Sequence, residues 1–312
     1  ILMKHIHIRN EQVEDLLCYK WLSVAEAIES AFVDETADMI PKTYLDGWGG
    51  DFRAMPAALG DYTAVKWVSV FPDNWKKEKH TVGGMLVLSD RRTGETLATM
   101  DCRTLTAYRT AATSAIAAKY CAPDAREFAI IGCGIQGRYH VEAYEAICRN
   151  HMSLGISLYD HDERAQKIFF NWLGRENLCQ SWGRNKSVKD AVQHADVVTT
   201  LTPTTEAYLN VLDLPDRCHI NAVGADAAGK RELMTNVVDG STTIVCDDPQ
   251  QALHSGELQY SNEWPKLDIN SLKYIIKNHE SMDLNKGISV FDSTGVAIED
   301  IAVAKLIYEL SC

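Results

Sequence analysis

The chain has 312 residues, which is long enough for two domains with separate hydrophobic cores. Hydrophobic residues make up 46% of the chain and charged residues 24%, as in an ordinary globular protein. The net charge of −12 argues against nucleic acid and against an anionic membrane surface as partners, because both require a basic face.

The first residues lack the apolar core of a signal peptide, and no later stretch has the length of a membrane span. We therefore expect a cytoplasmic protein that makes no membrane contact. The nine cysteines are odd in number, widely scattered and without a C-x-x-C pair. This pattern indicates small buried side chains in a reducing compartment, and no metal site is expected.

The first hundred residues are expected to form several strands joined by turns, with one early helix. Alternating apolar residues predict a short strand at His5–Ile8, and helical spacing predicts a helix over Lys20–Ala37. Three further strands are expected, at Tyr62–Phe71, Gly84–Ser89 and Glu95–Met100. The pattern predicts an α+β domain for substrate binding or assembly.

A helix rich in alanine and threonine is predicted over Leu105–Tyr120, before a break at Pro123. Its small residues would let another backbone approach closely. Arg109 is placed one turn into this helix, where the helix dipole opposes a cation, so an anionic partner is expected for it.

The central feature is a strand, a glycine turn and a helix within EFAIIGCGIQGRYH at 127–140. The apolar run Phe128–Ile131 enters a complete G-x-G-x-x-G made by Gly132, Gly134 and Gly137, and a helical pattern runs from Arg138 to Arg149. The first glycine would make the turn, the second would admit a pyrophosphate, and the third would let helix and strand approach. The sequence predicts a dinucleotide site, with a purely structural glycine turn as the alternative.

A second strand, Ile156–Asp160, ends on an acid 28 residues after Gly132, somewhat beyond the usual spacing of roughly 20. In a Rossmann fold a carboxylate at this point binds the adenosine ribose, and it repels the 2′-phosphate of NADP. Asp160 therefore favours NAD, although His161 and Arg164 weaken that preference.

The remaining chain alternates between strands and helices, which predicts parallel strands with crossover helices. The expected elements are helices at Asp162–Gly174 and Ser187–His194, strands at Val197–Leu201, His219–Val223 and Thr243–Cys246, and a closing strand and helix within Ile288–Leu310.

Three residues are candidates for chemistry on an amino or keto acid. Lys66 lies on the apolar face of its strand, which favours an inward lysine that meets an anion over an outward one. Arg53, predicted in a loop, would hold a carboxylate bidentately or simply be solvated. Asp226 follows a strand at its carboxyl end and is either an acid/base or part of an ordinary loop salt bridge, since Lys230 and Glu232 follow closely.

Weaker candidates are two histidines, a pair of acids and a threonine-rich turn. His140 is expected to be a packing or helix-surface residue, and His254 and the pair at 247–248 carry no clear signal. Thr202 begins a turn expected under the nicotinamide half of the cofactor, or else a simple turn.

Seven motifs together resemble the ornithine cyclodeaminase/mu-crystallin family, most closely its archaeal-type alanine dehydrogenase branch. They are RAMPA at 53–57, KWVSVFPDN at 66–74, DCRTLTAYRTAATSAIAAKY at 101–120, IIGCGIQGRYH at 130–140, INAVGADAAGKREL at 220–233, DDPQQALHSGEL at 247–258 and FDSTGVAIEDIAVAKLIYE at 291–309. The resemblance implies a homodimer, with a dimerisation and substrate domain from 1–120 plus 296–312 and a Rossmann NAD-binding domain from 121–295.

The resemblance also implies roles for individual residues. Asp226 and Lys66 would be the catalytic residues, with Asp226 as the acid/base, and Arg53, Lys66 and Arg109 would bind the substrate. The residues implied at the cofactor are Thr81, Arg109, Thr110, Gly132, Gly134, Ile135, Gln136, Gly137, Asp160, Thr202, Val223, Gly224, Lys230 and Ser293.

The family resemblance implies an NAD-dependent oxidoreductase that acts on the C–N bond of an amino or imino acid. An alanine dehydrogenase-like reaction, a redox-neutral ornithine or lysine cyclodeaminase, and an imine reductase all remain possible, as does a cofactor-binding protein without turnover. Ornithine cyclodeaminases carry an acid just before the M-P pair, where this chain has Arg53, and a cation there would repel a second ammonium.

Overall fold

The computed structural model describes residues 5–148, 154–279 and 286–312. The chain divides into two compact units, Ile1–Thr113 with Val296–Cys312, and Ser114–Gly295. The boundary expected after residue 120 instead falls after Thr113, within the long helix α3 (Cys102–Cys121). Arg149, the predicted end of the glycine-loop helix, lies outside the described residues.

The first unit contains one seven-stranded sheet. Its strands are β1 (Ile6–Ile8), β2 (Asp38–Met39), β3 (Thr43–Gly47), β4 (Gly50–Leu59), β5 (Tyr62–Val70), β6 (Val82–Asp90) and β7 (Thr96–Asp101). The order is β1-β7-β6-β5-β4-β2, with β3 also paired to β4. Only β1 pairs in parallel, with β7; the other pairings described in this sheet are antiparallel.

The helices of the first unit are α1 (Asn10–Leu17), α2 (Trp21–Val33), the first part of α3, and the last helix of the chain, α10 (Ala297–Ser311). Helix α2 is shorter than the predicted Lys20–Ala37, because Asp34 adopts extended backbone angles and its carboxylate caps Thr36. Helix α10 packs against α2 and against strands β4 and β5. The side chains on this face of the sheet are therefore buried.

Strand β4 corrects the predicted loop around Arg53. Strands β3 and β4 form a hairpin around Trp48 and Gly49, and Gly49 has φ = +97°, which a turn glycine adopts without strain. Pro56 is tolerated inside β4 because β2 pairs with Ala57 and Ala58 whereas β3 pairs only as far as Ala54. Arg53 is consequently a strand residue and is buried.

The second unit is built on eight parallel strands. They are β8 (Glu127–Ile131), β9 (Gly155–Tyr159), β10 (Ser181–Arg184), β11 (Val197–Thr200), β12 (Cys218–Ala222), β13 (Thr243–Cys246), β14 (Ile269–Ser271) and β15 (Ile288–Asp292). The order is β10-β9-β8-β11-β12-β15-β13-β14. The first five strands in this order match a doubly wound nucleotide-binding sheet, so the predicted fold class is confirmed.

The helices of the second unit are the end of α3 together with α4 (Ile135–Ile147), α5 (Glu163–Glu176), α6 (Val188–Val192), α7 (Thr235–Asp239), α8 (Pro249–Ser255) and α9 (Leu272–Asn278). The central strands β11, β12, β13 and β15 are buried along their whole length, as expected for parallel strands covered on both faces. Seven of the nine cysteines are buried, and all nine are free thiols. Among the described residues, none of the helices has both the length and the apolar composition that a bilayer crossing requires.

Candidate active site

The glycine turn has the geometry that phosphate binding needs. Gly132 has φ = +112°, and a Cβ built on Gly137 would lie 2.8 Å from the Gly132 carbonyl oxygen, so neither position accepts a side chain easily. At Gly134 the space is open. Helix α4 starts directly after Gly134, which makes no side-chain cap, so its first N–H groups face that open space. These features fit a dinucleotide pyrophosphate.

Asp160 lies at the end of β9, beside the glycine turn. Its carboxylate accepts hydrogen bonds from the backbone N–H of Cys133 at 2.7 Å and of Asp162 at 2.9 Å. The carboxylate is thus fixed beside the loop, where an adenosine ribose would lie. The Cys133 thiol is buried, which raises its pKa to about 12, so it offers no thiolate to a ligand.

His140 is a buried packing residue, one of the two alternatives expected from the sequence. Its Nδ1 lies 2.8 Å from the Gln136 carbonyl oxygen, which only accepts, so Nδ1 carries the proton. Nε2 then accepts from the Ser114 hydroxyl at 3.0 Å. Burial lowers the pKa of His140 to about 4, and the ring is neutral at neutral pH.

The loops after β11 and β12 meet at a buried carboxylate that sequence reasoning did not select. Glu232 accepts hydrogen bonds from the backbone N–H groups of Thr202 and Gly224 and from the hydroxyls of Thr200, Thr202 and Tyr208. Burial raises the pKa of Glu232, and these hydrogen bonds oppose that rise. Thr202 and Gly224, both implied at the cofactor, are therefore held by one side chain.

Three more buried acids lie behind these loops. Glu257 accepts the N–H of Glu232 at 2.6 Å, and Asp292 accepts the N–H groups of Glu257 and Leu258, both at 2.9 Å. Burial raises the pKa of Glu257 to about 9 and that of Asp292 to about 7. Asp247 accepts from the Thr294 hydroxyl at 2.8 Å and from the Gly295 N–H at 2.5 Å. These acids fix backbone at the carboxyl end of the sheet.

Asp226 forms the salt bridge that sequence reasoning held open as one alternative. Its Oδ1 lies 2.6 Å from Lys230 Nζ, and both side chains remain partly exposed. Glu232 does not join this pair, because its carboxylate accepts hydrogen bonds from the loops after β11 and β12. Asp226 is thus partly exposed to solvent, as an acid/base that exchanges protons must be.

Lys66 faces inward and meets an anion, as predicted. Its side chain is 1% exposed, and Nζ lies 2.7 Å from Asp300 Oδ1 on helix α10. Burial lowers the pKa of the Lys66 ammonium, and Asp300 opposes that shift. Among the described residues Asp300 is the one hydrogen-bond partner of Nζ, which has three N–H donors.

Arg109 joins the same cluster, although its expected position was wrong. Helix α3 starts at Cys102, so Arg109 is about two turns into the helix and the dipole of the first turn does not explain its partner. Its anions come from helix α10: Nη1 lies 2.6 Å from Glu299 Oε2, and Nε lies 3.1 Å from Asp300 Oδ1.

Arg53 pairs with a neighbour on its own strand. Its Nε and Nη2 donate to the two carboxylate oxygens of Asp51, at 2.6 and 3.2 Å, and its guanidinium lies over the Tyr44 ring. Trp67, the residue after Lys66, lies on the opposite face of β5 and stacks on Phe52. Arg53 is held rigidly, as a carboxylate-binding arginine should be.

The other implied cofactor residues are divided between the units. Thr81, just before β6, and Thr110, beside Arg109, belong to the first unit. In the second unit, Ile135 and Gln136 are the first two residues of α4. The Val223 N–H donates to the Thr200 carbonyl oxygen, and the Ser293 N–H donates to the Ala222 carbonyl oxygen. Within the described ranges no cluster of acids, histidines or cysteines is arranged to hold a metal ion.

Sequence reasoning missed Glu299, Asp300 and Glu232. Glu299 and Asp300 are adjacent acids in the mostly apolar stretch AIEDIAVAKLI. A charged residue in an apolar stretch is the signal that selected Lys66, so these two acids could have been found in the same way. Glu232 carries no comparable local signal, because its donors come from three different segments.

The chain is similar to several known proteins over nearly its whole length. The alanine dehydrogenase of Archaeoglobus fulgidus is 34% identical over 98% of this chain and 95% of its own length. The structure of an archaeal alanine dehydrogenase dimer with bound NAD covers 98% of this chain and 95% of its own, at 34% identity, with a TM-score of 0.88.

A Thermococcus litoralis Delta(1)-pyrroline-2-carboxylate reductase, solved with NADH and L-proline, covers 98% of this chain and 97% of its own at 28% identity, with a TM-score of 0.89. The model of the ornithine cyclodeaminase/mu-crystallin family matches residues 3–311. As the sequence motifs predicted, the chain belongs to the ornithine cyclodeaminase/mu-crystallin family.

Proposed function

We propose that this protein is an NAD-dependent oxidoreductase that deaminates a small L-amino acid to a 2-oxo acid, in the manner of an alanine dehydrogenase. The observation that carries the proposal is Lys66, a buried ammonium with Asp300 as its one described hydrogen-bond partner. A cation kept out of water in this way has N–H donors left for a ligand carboxylate.

The substrate carboxylate is proposed to bind Lys66 and Arg53. Both cations are buried, and both are held in place by carboxylates, Asp300 and Asp51. Arg109 is the second cation of the Lys66 cluster. Ligand binding there would add a negative charge to a cluster that contains two cations and two acids, and the charge of Arg53 would help to compensate it.

The cofactor is proposed to bind at Gly132, Gly134 and Gly137, with its adenosine ribose on Asp160. NAD bound there would supply the hydride acceptor for the α-carbon of the amino acid. Asp160 favours NAD over NADP because its carboxylate would repel a 2′-phosphate.

Asp226 is the proposed acid/base. As a carboxylate it would take the proton from the substrate amine or from the attacking water, and as the acid it would return a proton to the departing ammonia. The balanced reaction converts the amino acid, NAD⁺ and water to a 2-oxo acid, NADH, ammonium and one proton. Lys230, at 2.6 Å, would stabilise the carboxylate between these transfers.

Imine reduction is the second candidate, favoured by the likeness to a reductase solved with NADH and L-proline. It uses the same carboxylate clamp and the same acid but needs no ammonia. Ornithine cyclodeamination is less well supported. Arg53 offers no acceptor to a second ammonium, and the nearby Asp51 carboxylate is already bound by two Arg53 nitrogens.

A homodimer is also proposed, formed through the outer face of the first sheet. On that face Trp67 is 44% exposed, Met85 40% and Val65 37%, although all three lie within strands. A second copy of the chain would cover this apolar surface. Trp67→Glu should give a monomer in sedimentation velocity, whereas Trp264→Glu, at a similarly exposed tryptophan of the second unit, should leave the dimer intact.

The experiment that tests the reaction mixes the purified protein with NADH, pyruvate and ammonium, and in parallel with NADH and a cyclic imine of an amino acid. NADH oxidation that requires ammonium supports the dehydrogenase. Oxidation with the cyclic imine alone would favour the reductase. NADH binding without oxidation in any mixture, including other 2-oxo acids, would contradict the proposal and would leave a redox-neutral cyclodeaminase or a binding protein without turnover.

A further inference from the structure

We propose that Glu232 is a positioning residue for the nicotinamide half of the cofactor, an inference that rests on the proposed NAD-dependent function. Its carboxylate is fully buried and ties together the loops that follow β11 and β12. It does not contact the reacting atoms itself. Its role is to hold the backbone on which that half of the cofactor lies.

The strand order shows which half of the cofactor these loops serve. Asp160 follows β9, the glycine turn follows β8, and the next strands in the sheet are β11 and then β12. A dinucleotide with its ribose at β9 and its pyrophosphate at β8 must extend its other half over β11 and β12. Thr202 and Gly224 are the loop residues at that place.

Glu232 holds these two loops through both carboxylate oxygens. Oε1 accepts the Thr202 N–H at 2.6 Å, and Oε2 accepts the Gly224 N–H at 2.8 Å. A Cβ built on Gly224 would collide with the Glu232 carboxylate and with the Thr202 carbonyl oxygen. The two loops and the carboxylate are therefore in close contact, and movement of one would displace the others.

A second acid makes a matched control possible. Glu257 accepts the N–H of Glu232 through Oε1, at 2.6 Å, and its other oxygen is buried with no hydrogen-bond partner among the described residues. An amide can therefore replace Glu257, with its oxygen in the accepting position. At Glu232 each oxygen accepts a backbone N–H, so the amide nitrogen of a glutamine would face a donor in either orientation.

The experiment compares Glu232→Gln with Glu257→Gln, using NADH and ADP-ribose as probes. ADP-ribose lacks the nicotinamide ring and keeps the ribose beside it, so its binding is expected to depend mainly on the glycine turn and Asp160. For Glu232→Gln, because one buried N–H loses its acceptor, we expect the dissociation constant of NADH to rise about tenfold to hundredfold. The dissociation constant of ADP-ribose should stay within about twofold, since the glycine turn is untouched. Glu257→Gln should leave both within about twofold.

Equal weakening of NADH and ADP-ribose in Glu232→Gln would overturn the proposal, because it would mean a general loss of structure, and so would unchanged binding of both. If Glu232→Gln does not fold, Tyr208→Phe replaces it. That variant removes one hydroxyl, 3.0 Å from Oε1, and should weaken NADH but not ADP-ribose by about threefold to tenfold. Unchanged NADH binding in Tyr208→Phe would then count against the role.

Failure of the proposed reaction is distinguishable from failure of this inference. A wild-type protein that binds NADH but oxidises no amino acid contradicts the reaction and leaves the comparison of the two probes valid. A wild-type protein that binds ADP-ribose and NADH with equal affinity contradicts the inference alone, because the loops after β11 and β12 would then contribute nothing to cofactor binding.

Discussion

Buried ionisable side chains have different kinds of partner in the two units of this protein. In the first unit, Lys66 and Arg109 lie against the carboxylates of Glu299 and Asp300 on helix α10. In the second unit, the buried acids Glu232 and Glu257 accept hydrogen bonds mainly from backbone N–H groups and hydroxyls. The first arrangement would keep cations available for the proposed anionic ligand, and the second holds backbone in place through buried acids.

The difference shows how to separate binding residues from scaffolding residues. A buried cation with N–H donors left over is expected to bind a ligand, whereas a buried acid whose oxygens accept neutral donors is expected to hold structure. Asp226 belongs to neither group, because it is partly exposed and pairs with Lys230. Four substitutions test this division, and the largest effect is expected at Asp226.

Asp226→Asn should lower kcat by about 10²-fold to 10⁴-fold, because the amide cannot take up the proton that the reaction releases. NADH binding should be unchanged. The measurement is steady-state kinetics together with an NADH titration by protein fluorescence. Asp216→Asn, at an exposed aspartate elsewhere in the second unit, is the control and should keep full activity. A kcat within threefold of wild type in Asp226→Asn would remove this residue from the mechanism.

Lys66→Met should lower kcat/KM for the amino acid by about 10²-fold to 10³-fold, since it removes the carboxylate partner and leaves Asp300 buried beside Arg109. The dissociation constant of NADH should change less than about twofold, because the glycine turn is intact. Lys167→Met, on the exposed face of α5, makes the same chemical change without burial and should have no effect. An unchanged KM for the amino acid in Lys66→Met would show that the buried cation serves structure alone.

Glu257→Gln should change the pH dependence of stability. The pKa of Glu257 is raised to about 9 in the folded protein, so the folded state keeps a proton that the unfolded chain has already lost. Stability from this group is therefore present at acid pH and is lost by up to about 1.4 kcal/mol per pH unit as pH rises from about 5 to 9.

In the Glu257→Gln variant no group at position 257 titrates in this pH range. The free energy of unfolding of the variant should therefore exceed that of wild type by an amount that grows as pH rises. Urea unfolding at a series of pH values measures the difference. Parallel curves for the two proteins would mean that Glu257 is ionised in the fold, and that the second unit also buries charge.

Asp160→Ser should produce the smallest effect, a shift of about tenfold in the ratio of kcat/KM for NAD and NADP. The carboxylate at the end of β9 would no longer repel a 2′-phosphate, and the serine hydroxyl would still meet a ribose. Its hydrogen bond to the Cys133 N–H would also be lost, so NAD binding should weaken somewhat. An unchanged ratio would show that another group distinguishes the ribose 2′-hydroxyl of NAD from the 2′-phosphate of NADP.

The sequence allowed prediction of features that depend on neighbouring residues. The glycine turn, its strand and its helix were predictable because all of the required residues lie within about one βαβ segment. The inward direction of Lys66 followed from alternation in β5. The partner of Lys66 could not be predicted from the sequence, since Asp300 lies 234 positions after it.

Two further features could not be predicted from the sequence. Pro56 and three glycines concealed the hairpin of β3 and β4, and Arg53 was consequently placed in a loop. Glu232 accepts hydrogen bonds from Thr200 on β11, from Gly224 in the loop after β12 and from Tyr208, which only the folded sheet brings together. Long-range pairing of this kind is set by topology, which local patterns do not encode.

The measurement that tests the central claim most directly is the ratio of NADH to ammonia formed when the protein is incubated with NAD and a panel of amino acids. The proposed dehydrogenase forms the two products in equal amounts from a monoamino acid such as alanine, and forms neither from ornithine. Ammonia released from ornithine or lysine without NADH would contradict the account, and would mean that the pocket accepts a second ammonium despite the positive charge of Arg53.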